Sequence, residues 1–149
     1  MIARKSALIL ENFVIVDSHI SLIVANEKLN TGVVEILNSY PVEIDFSIEE
    51  DSNDELFRIV TTIEINNKEE RNPGYSILVT GMSFFKFENH TPLPDNQRKQ
   101  MLQVSGLSIC IANIRSYIAN QTSYYPWGSF SFHAIDIQHL LEEKQKTVS

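Results

Sequence analysis

From Pro41 to Glu49 apolar and polar residues alternate: Val42, Ile44, Phe46 and Ile48 share one parity, and Glu43, Asp45, Ser47 and Glu49 the other. A period of two marks a strand with one buried and one solvated face. A polar turn of Asp51, Ser52, Asn53 and Asp54 follows. In the next strand Phe57, Ile59, Ile63 and Ile65 point one way, while Leu56, Arg58, Val60 and Glu64 point the other. Asn66 to Gly74, with its Asn-Asn pair, charge run and Pro73-Gly74, reads as a second turn. It releases a third strand, Tyr75 to Glu88, in which Tyr75, Ile77, Val79, Phe85 and Phe87 are opposed by Leu78, Met82 and Phe84 on the other parity. Upstream, Ser6 to Leu22 is also apolar on both parities and reads as a fourth long strand, bent or bulged near Asp17 and Ser18. Burying a large apolar side chain is worth roughly 1.5 to 3 kcal/mol. Both faces of such a sheet therefore need covering, by the chain itself or by a partner.

Downstream the period changes. Pro92 and Pro94 close the strand region, and Asp95 is placed to cap a helix. Gly106 is a candidate break or bend in that helix. Beyond it Leu107, Cys110, Ile111, Ile114 and Ile118 recur at helical spacing, the pattern of an amphipathic cover. Tyr124 to Gly128 forms an aromatic loop, Ser129 to Phe132 is briefly extended, and Ala134 to Lys144 predicts a last short helix. The expected fold is α+β: a four-stranded antiparallel sheet with two or three helices packed on one face.

Composition narrows the function. The chain has 149 residues, 43% hydrophobic and 21% charged, and a formal charge of −7 with scattered basic residues, which argues against nucleic acid as a partner. Glu11 and Asn12 interrupt the one apolar run that resembles an export signal, so export and membrane insertion are not expected. The single cysteine, Cys110, excludes an intrachain disulfide and suits a reducing cytoplasm. The triplets Asn89-His90-Thr91 and Asn120-Gln121-Thr122 then have no glycosylation role.

Little in the chain points to chemistry. His19, His90, His133 and His139 lack metal-ligand spacing, and Glu49, Glu50, Asp51 and Asp54 lack the glycine and terminal glutamate of a calcium loop. Cys110 sits on the apolar helix face with no base nearby. No phosphate loop or hydrolase triad is present. The expectation is a protein that is not an enzyme, with no catalytic residue, no metal and no cofactor.

Several segments together carry a family resemblance. They are Pro41-Val42-Glu43-Ile44-Asp45-Phe46, Glu55 to Ile63, Gly81-Met82-Ser83-Phe84-Phe85, Ile111-Ala112-Asn113-Ile114-Arg115, Tyr125-Pro126, and Ile135 to Leu140. Their order resembles the SecB family of protein-export chaperones over about four-fifths of the chain, although the Pro-Tyr of that family's helix motif is absent. The resemblance implies one SecB-like domain over residues 1–149, with 1–5 and 145–149 mobile. It also implies a cytoplasmic homo-oligomer, dimer or tetramer, that holds unfolded polypeptide clients in hydrophobic grooves without ATP and passes preproteins to SecA. Tyr40, Tyr75, Met82, Phe84 and Phe85, with Trp127, are the implied client-binding residues. Tyr75, Met82, Phe84 and Phe85 also have a plain reading as core, and Trp127 as a loop anchor. The positions matched to SecA docking are His19, Ile23 and Leu78, none of them acidic. A SecB-like chaperone serving the antitoxin of a toxin–antitoxin system is the variant reading. A helix-grip carrier of a small apolar ligand is the other, disfavoured by four strands and by Gly106.

Overall fold

The computed structural model describes every residue except Asn26, Ser52, Asp54, His90, Thr91 and Ser149, so the expectations at Ser52, Asp54, His90 and Thr91 lie outside the described residues. Four antiparallel strands, β1 (Leu8–Ile23), β2 (Val42–Asp51), β3 (Leu56–Ile65) and β4 (Gly74–Phe87), form one sheet in the order β1-β4-β3-β2. Strands β2, β3 and β4 follow one another as hairpins. Strand β1 lies on the opposite edge from β2, and the connection crossing between them contains α1 (Val33–Ser39).

The helical third begins with α2 (Asp95–Met101), passes through a π-helical turn (Leu102–Gly106) and continues as α3 (Leu107–Thr122); α4 (Ile137–Val148) ends the chain. The α+β arrangement is the one expected. Some details differ. Asp95 is the first helical residue rather than the cap; Pro94 holds the cap position, and no side chain caps this end. Gly106 neither breaks nor ends the helix. A Cβ there would lie 2.8 Å from Ile59 Cδ1, so the residue serves close approach to the sheet. The last helix starts later than Ala134 because Asp136 Oδ1 accepts from His139 N at 3.0 Å, fixing the start at Ile137. It also continues to Val148, past the expected end at Lys144.

The register accounts for the double apolar parity of β1. Pairing with β4 shifts between Leu10 and Asn12 and again between Ile15 and Asp17. Each shift inserts one residue, and each insertion exchanges the faces. Leu8 and Leu10, then Phe13 and Ile15, then Ile20 and Leu22 therefore share the face of Phe85, Ile77 and Tyr75. The second bulge sits just before the bend expected at Asp17.

On that face the cross-strand rows are almost wholly apolar: Ile20-Ile77-Ile65-Val42, Phe13-Ser83-Ile59-Ile48, and between them Ile15-Gly81-Thr61-Phe46. The small residues Gly81, Ser83 and Thr61 make a depression, and α3 lies over it. Leu107, Cys110, Ile111, Ile114 and Ile118 are buried against the sheet. Cys110 Sγ donates to Ser83 Oγ at 3.0 Å, and burial pushes the thiol above its ordinary pKa, so it stays protonated at neutral pH. A Cβ at Gly81 would lie 2.9 Å from Phe13 Cε2 and 3.0 Å from Ile114 Cδ1. Gly81→Val should therefore lower unfolding free energy by about 1 to 3 kcal/mol through overpacking, read by urea denaturation. Unchanged stability would mean that α3 does not sit this close to the sheet.

Candidate functional site

With one face sealed by α3, the opposite face of the sheet is where chemistry facing outward must lie. Its rows run Asn12-Phe84-Arg58-Glu49, Val14-Met82-Val60-Ser47, Asp17-Thr80-Thr62-Asp45 and His19-Leu78-Glu64-Glu43. The second row is apolar across three strands, and Phe84 and Leu56 extend it. Val14 is exposed, while Met82, Val60, Phe84 and Leu56 are half-buried. Below it a polar row is tied by Thr62 Oγ1 to Thr80 Oγ1 at 2.9 Å. Leu78 stands alone beyond that row.

The flanks differ in charge. Strand β2 contributes Glu43, Asp45, Glu49 and Asp51, the polar parity of its alternation. Glu49 pairs with Arg58, Glu43 with Lys68 at 2.6 Å, and Asp45 with Lys144 at 2.6 Å. All three pairs are solvent-accessible and contribute little to stability individually. Glu50, Asp51 and Glu64 add carboxylates beyond these three pairs, so the edge keeps a net negative charge. Glu49, Glu50, Asp51, Leu56, Arg58 and Phe84 line a concavity of about 330 Å³ at the corner where the apolar row meets the acidic edge. At the far end the Asn66 to Pro73 loop folds over the face. Ser76 is buried there and donates to Asn67 Oδ1 at 3.1 Å, while Asn66 Nδ2 donates to the Asn72 and Tyr75 carbonyls.

The six residues implied as client-binding do not form one surface. Met82 and Phe84 lie on the open face. Phe85 is fully buried on the helix-covered face. Tyr40, Tyr75 and Trp127 belong to an aromatic cluster at the Gly74 end of β4. Tyr75 there meets Tyr125, Trp127 and Phe130 at centroid distances of 5.8, 6.4 and 6.2 Å. Its phenol donates to the Gly128 carbonyl and that of Tyr40 to the Pro73 carbonyl, both at 2.6 Å, while Tyr125 Oη donates to the Ile20 carbonyl at 2.8 Å. Burial raises the pKa of Tyr40 and Tyr75, keeping both as neutral donors. The cluster staples the aromatic loop to β1 and β4, and Trp127 packs over Gly74, whose φ of +107° needs glycine.

The three positions matched to partner docking fall on the open parity. His19 and Leu78 are direct cross-strand neighbours, and His19 Nε2 lies 3.0 Å from Asp17 Oδ1; Ile23 is half-buried opposite Gly74. Two features of this face were not singled out from sequence. One is the acidic β2 row as a flank of the apolar row, legible in the Glu43/Asp45/Ser47/Glu49 alternation. The other is the Arg58–Phe84 adjacency, which needs the strand register. Among the described residues no group of three or more His, Cys, Asp or Glu stands together as metal ligands would, and no helix is long and apolar enough to cross a membrane.

No protein-family model and no curated protein matches the sequence. Among solved structures the chain is similar to a SecB-like chaperone of Mycobacterium tuberculosis, solved in complex with a ChAD peptide from the HigA1 antitoxin. The TM-score is 0.58 and the identity 10%, with 87% of this chain and 91% of that chain covered. A Streptococcus agalactiae protein of unknown function aligns over 86% of this chain and 97% of its own at 10% identity, with a TM-score of 0.39, too low to carry an argument. The first match shows that this chain has the SecB-like fold.

The opposite orientations of two adjacent phenylalanines are directly testable. Phe85→Asp should cost at least about 4 kcal/mol, because it buries a carboxylate on the helix-covered face beside Gly106. Phe84→Asp, on the open face beside Arg58, should cost no more than about 2 kcal/mol. Equal losses in urea unfolding of the two variants would contradict the assignment of faces.

Proposed function

We propose that the chain is a SecB-like chaperone of the holdase type, binding unfolded or extended polypeptide segments without ATP. The observation that carries this reading is the apolar row Val14-Met82-Val60, extended by Phe84 and flanked by the acidic β2 edge, on an antiparallel sheet of SecB-like fold. Contiguous apolar surface bounded by charge is what polypeptide-binding sites present, and methionine and aromatic side chains adapt to many partners. Binding would draw on several weak apolar subsites, with avidity supplied by a homo-oligomer, dimer or tetramer, in the cytoplasm. No covalent chemistry is required, in keeping with a protein that is not an enzyme.

Two observations favour an antitoxin-type client over SecA-linked export. His19, Ile23 and Leu78 offer no carboxylate where the resemblance calls for acidic docking positions. The similar mycobacterial chaperone was solved with an antitoxin peptide. The helix-grip reading gains no support from the packing: α3 rests directly on Gly81 and Ser83, where a carrier would need an enclosed cavity.

The test is suppression of aggregation of a chemically denatured client, without nucleotide, at near-stoichiometric ratio. The wild-type chain should suppress light scattering, and Met82→Asp should require several-fold more protein for the same effect while retaining its circular dichroism spectrum. Absence of suppression at several-fold excess of wild type would overturn the reading. A Met82→Asp variant as effective as wild type would move the client off the open face.

A further inference from the structure

No side chain of α4 is fully buried. Its half-buried residues, Ile137, Leu140, Leu141 and Lys144, stand at i, i+3, i+4 and i+7, a single stripe along the helix. The helix contacts the π-helical turn, its apolar residues pack against the core, and Lys144 reaches the sheet edge at β2. Lys144 Nζ lies 2.6 Å from Asp45 Oδ1 and 5.3 Å from the centroid of the Phe46 ring. The lysine therefore engages its partner as both a charge and a cation over a π face. Phe130 and Phe132, buried just upstream, anchor the chain before α4 begins. The helix can leave without withdrawing a fully buried side chain from the core. Asp45 is also the β2 member of the Asp17-Thr80-Thr62-Asp45 row, so the surface beneath α4 adjoins the open face.

We infer that α4 is the resident occupant of a second polypeptide groove, bounded by edge strand β2 and the π-helical turn. The groove accepts an amphipathic helical segment carrying apolar side chains at i, i+3 and i+4 and a cationic side chain at i+7. The resident helix defines that chemistry: the apolar stripe fills the groove, and the cation meets Asp45 and Phe46. A client segment with this pattern competes with α4, and its apparent affinity is lowered by the fraction of chains in which α4 is docked. The inference rests on the polypeptide-binding reading and adds the pattern that the groove selects.

The test uses the full chain and a fluorescent peptide of residues 135–148, followed by anisotropy. Leu140→Ser with Leu141→Ser loosens the resident helix, and this double variant should bind the peptide at least tenfold more tightly than wild type. Lys144→Ala loosens the same helix by removing the ion pair with Asp45 and the cation over Phe46, leaving Leu140 and Leu141 in place. It should give about a threefold gain, and it carries the test if the double variant is not folded. A peptide with Lys144→Glu should bind the double variant at least fivefold more weakly, and Asp45→Lys in that variant should restore its binding. Equal peptide affinity in wild type and the loosened variants, or no binding to any, would overturn the inference. Aggregation suppression measured on the same samples separates the two claims. Suppression without peptide binding leaves the holdase reading and removes the groove; peptide binding without suppression does the reverse.

Discussion

The contact on which the rest of the structure depends is the seating of α3 in the depression made by Gly81, Ser83 and Thr61. A sheet surface of uniform large residues would hold the helix away. Here Ile114 rests against Gly81, and Cys110 hydrogen-bonds Ser83. Gly106 at the end of the π-helical turn repeats the device against Ile59. Three small residues on the sheet and one on the helical segment thus let two layers approach at main-chain distance. Packing at that closeness leaves little slack, which is why added volume is costly there.

Seating the helix commits one face of every strand. On β4 the odd positions from Tyr75 to Phe87 go under the helices or into the aromatic cluster, and the even positions from Leu78 to Lys86 are left for whatever meets the sheet from outside. Neighbouring residues consequently have opposite environments, Phe85 fully buried and Phe84 half-exposed. Strand β1 brings Phe13, Ile15, Ile20 and Leu22 to the covered side by inserting two bulges, and Ile9, Leu10, Val14 and Val16 remain exposed. The apolar row on the open face is therefore what remains of the strands' hydrophobic content once the core is complete. The acidic parity of β2 borders it, and α4 lies along that border.

Much of this is legible in the sequence. The alternation of β2 identified its covered and acidic faces, and the double parity of β4 required two environments for one strand. In β1 the same double parity had a different cause, because bulges exchange faces and only pairing with β4 reveals where they fall. Helix α1 was not anticipated: seven residues without a capping side chain are too short to show a period. The roles of Gly81 and Gly106 depend on what lies opposite them, which composition does not encode. Tyr75 and Met82 could not be separated by residue type either. Their parity in the sheet, and hence whether they face the aromatic loop or the outside, follows from register.

The most direct measurement is methyl-resolved NMR of the full chain titrated with an unfolded client. An open face that binds polypeptide predicts shifts or broadening at the methyls of Val60, Leu78 and Met82, with those of Ile59, Ile63, Ile114 and Ile118 unmoved. Perturbation confined to these buried isoleucines, with the open-face methyls silent, would contradict it.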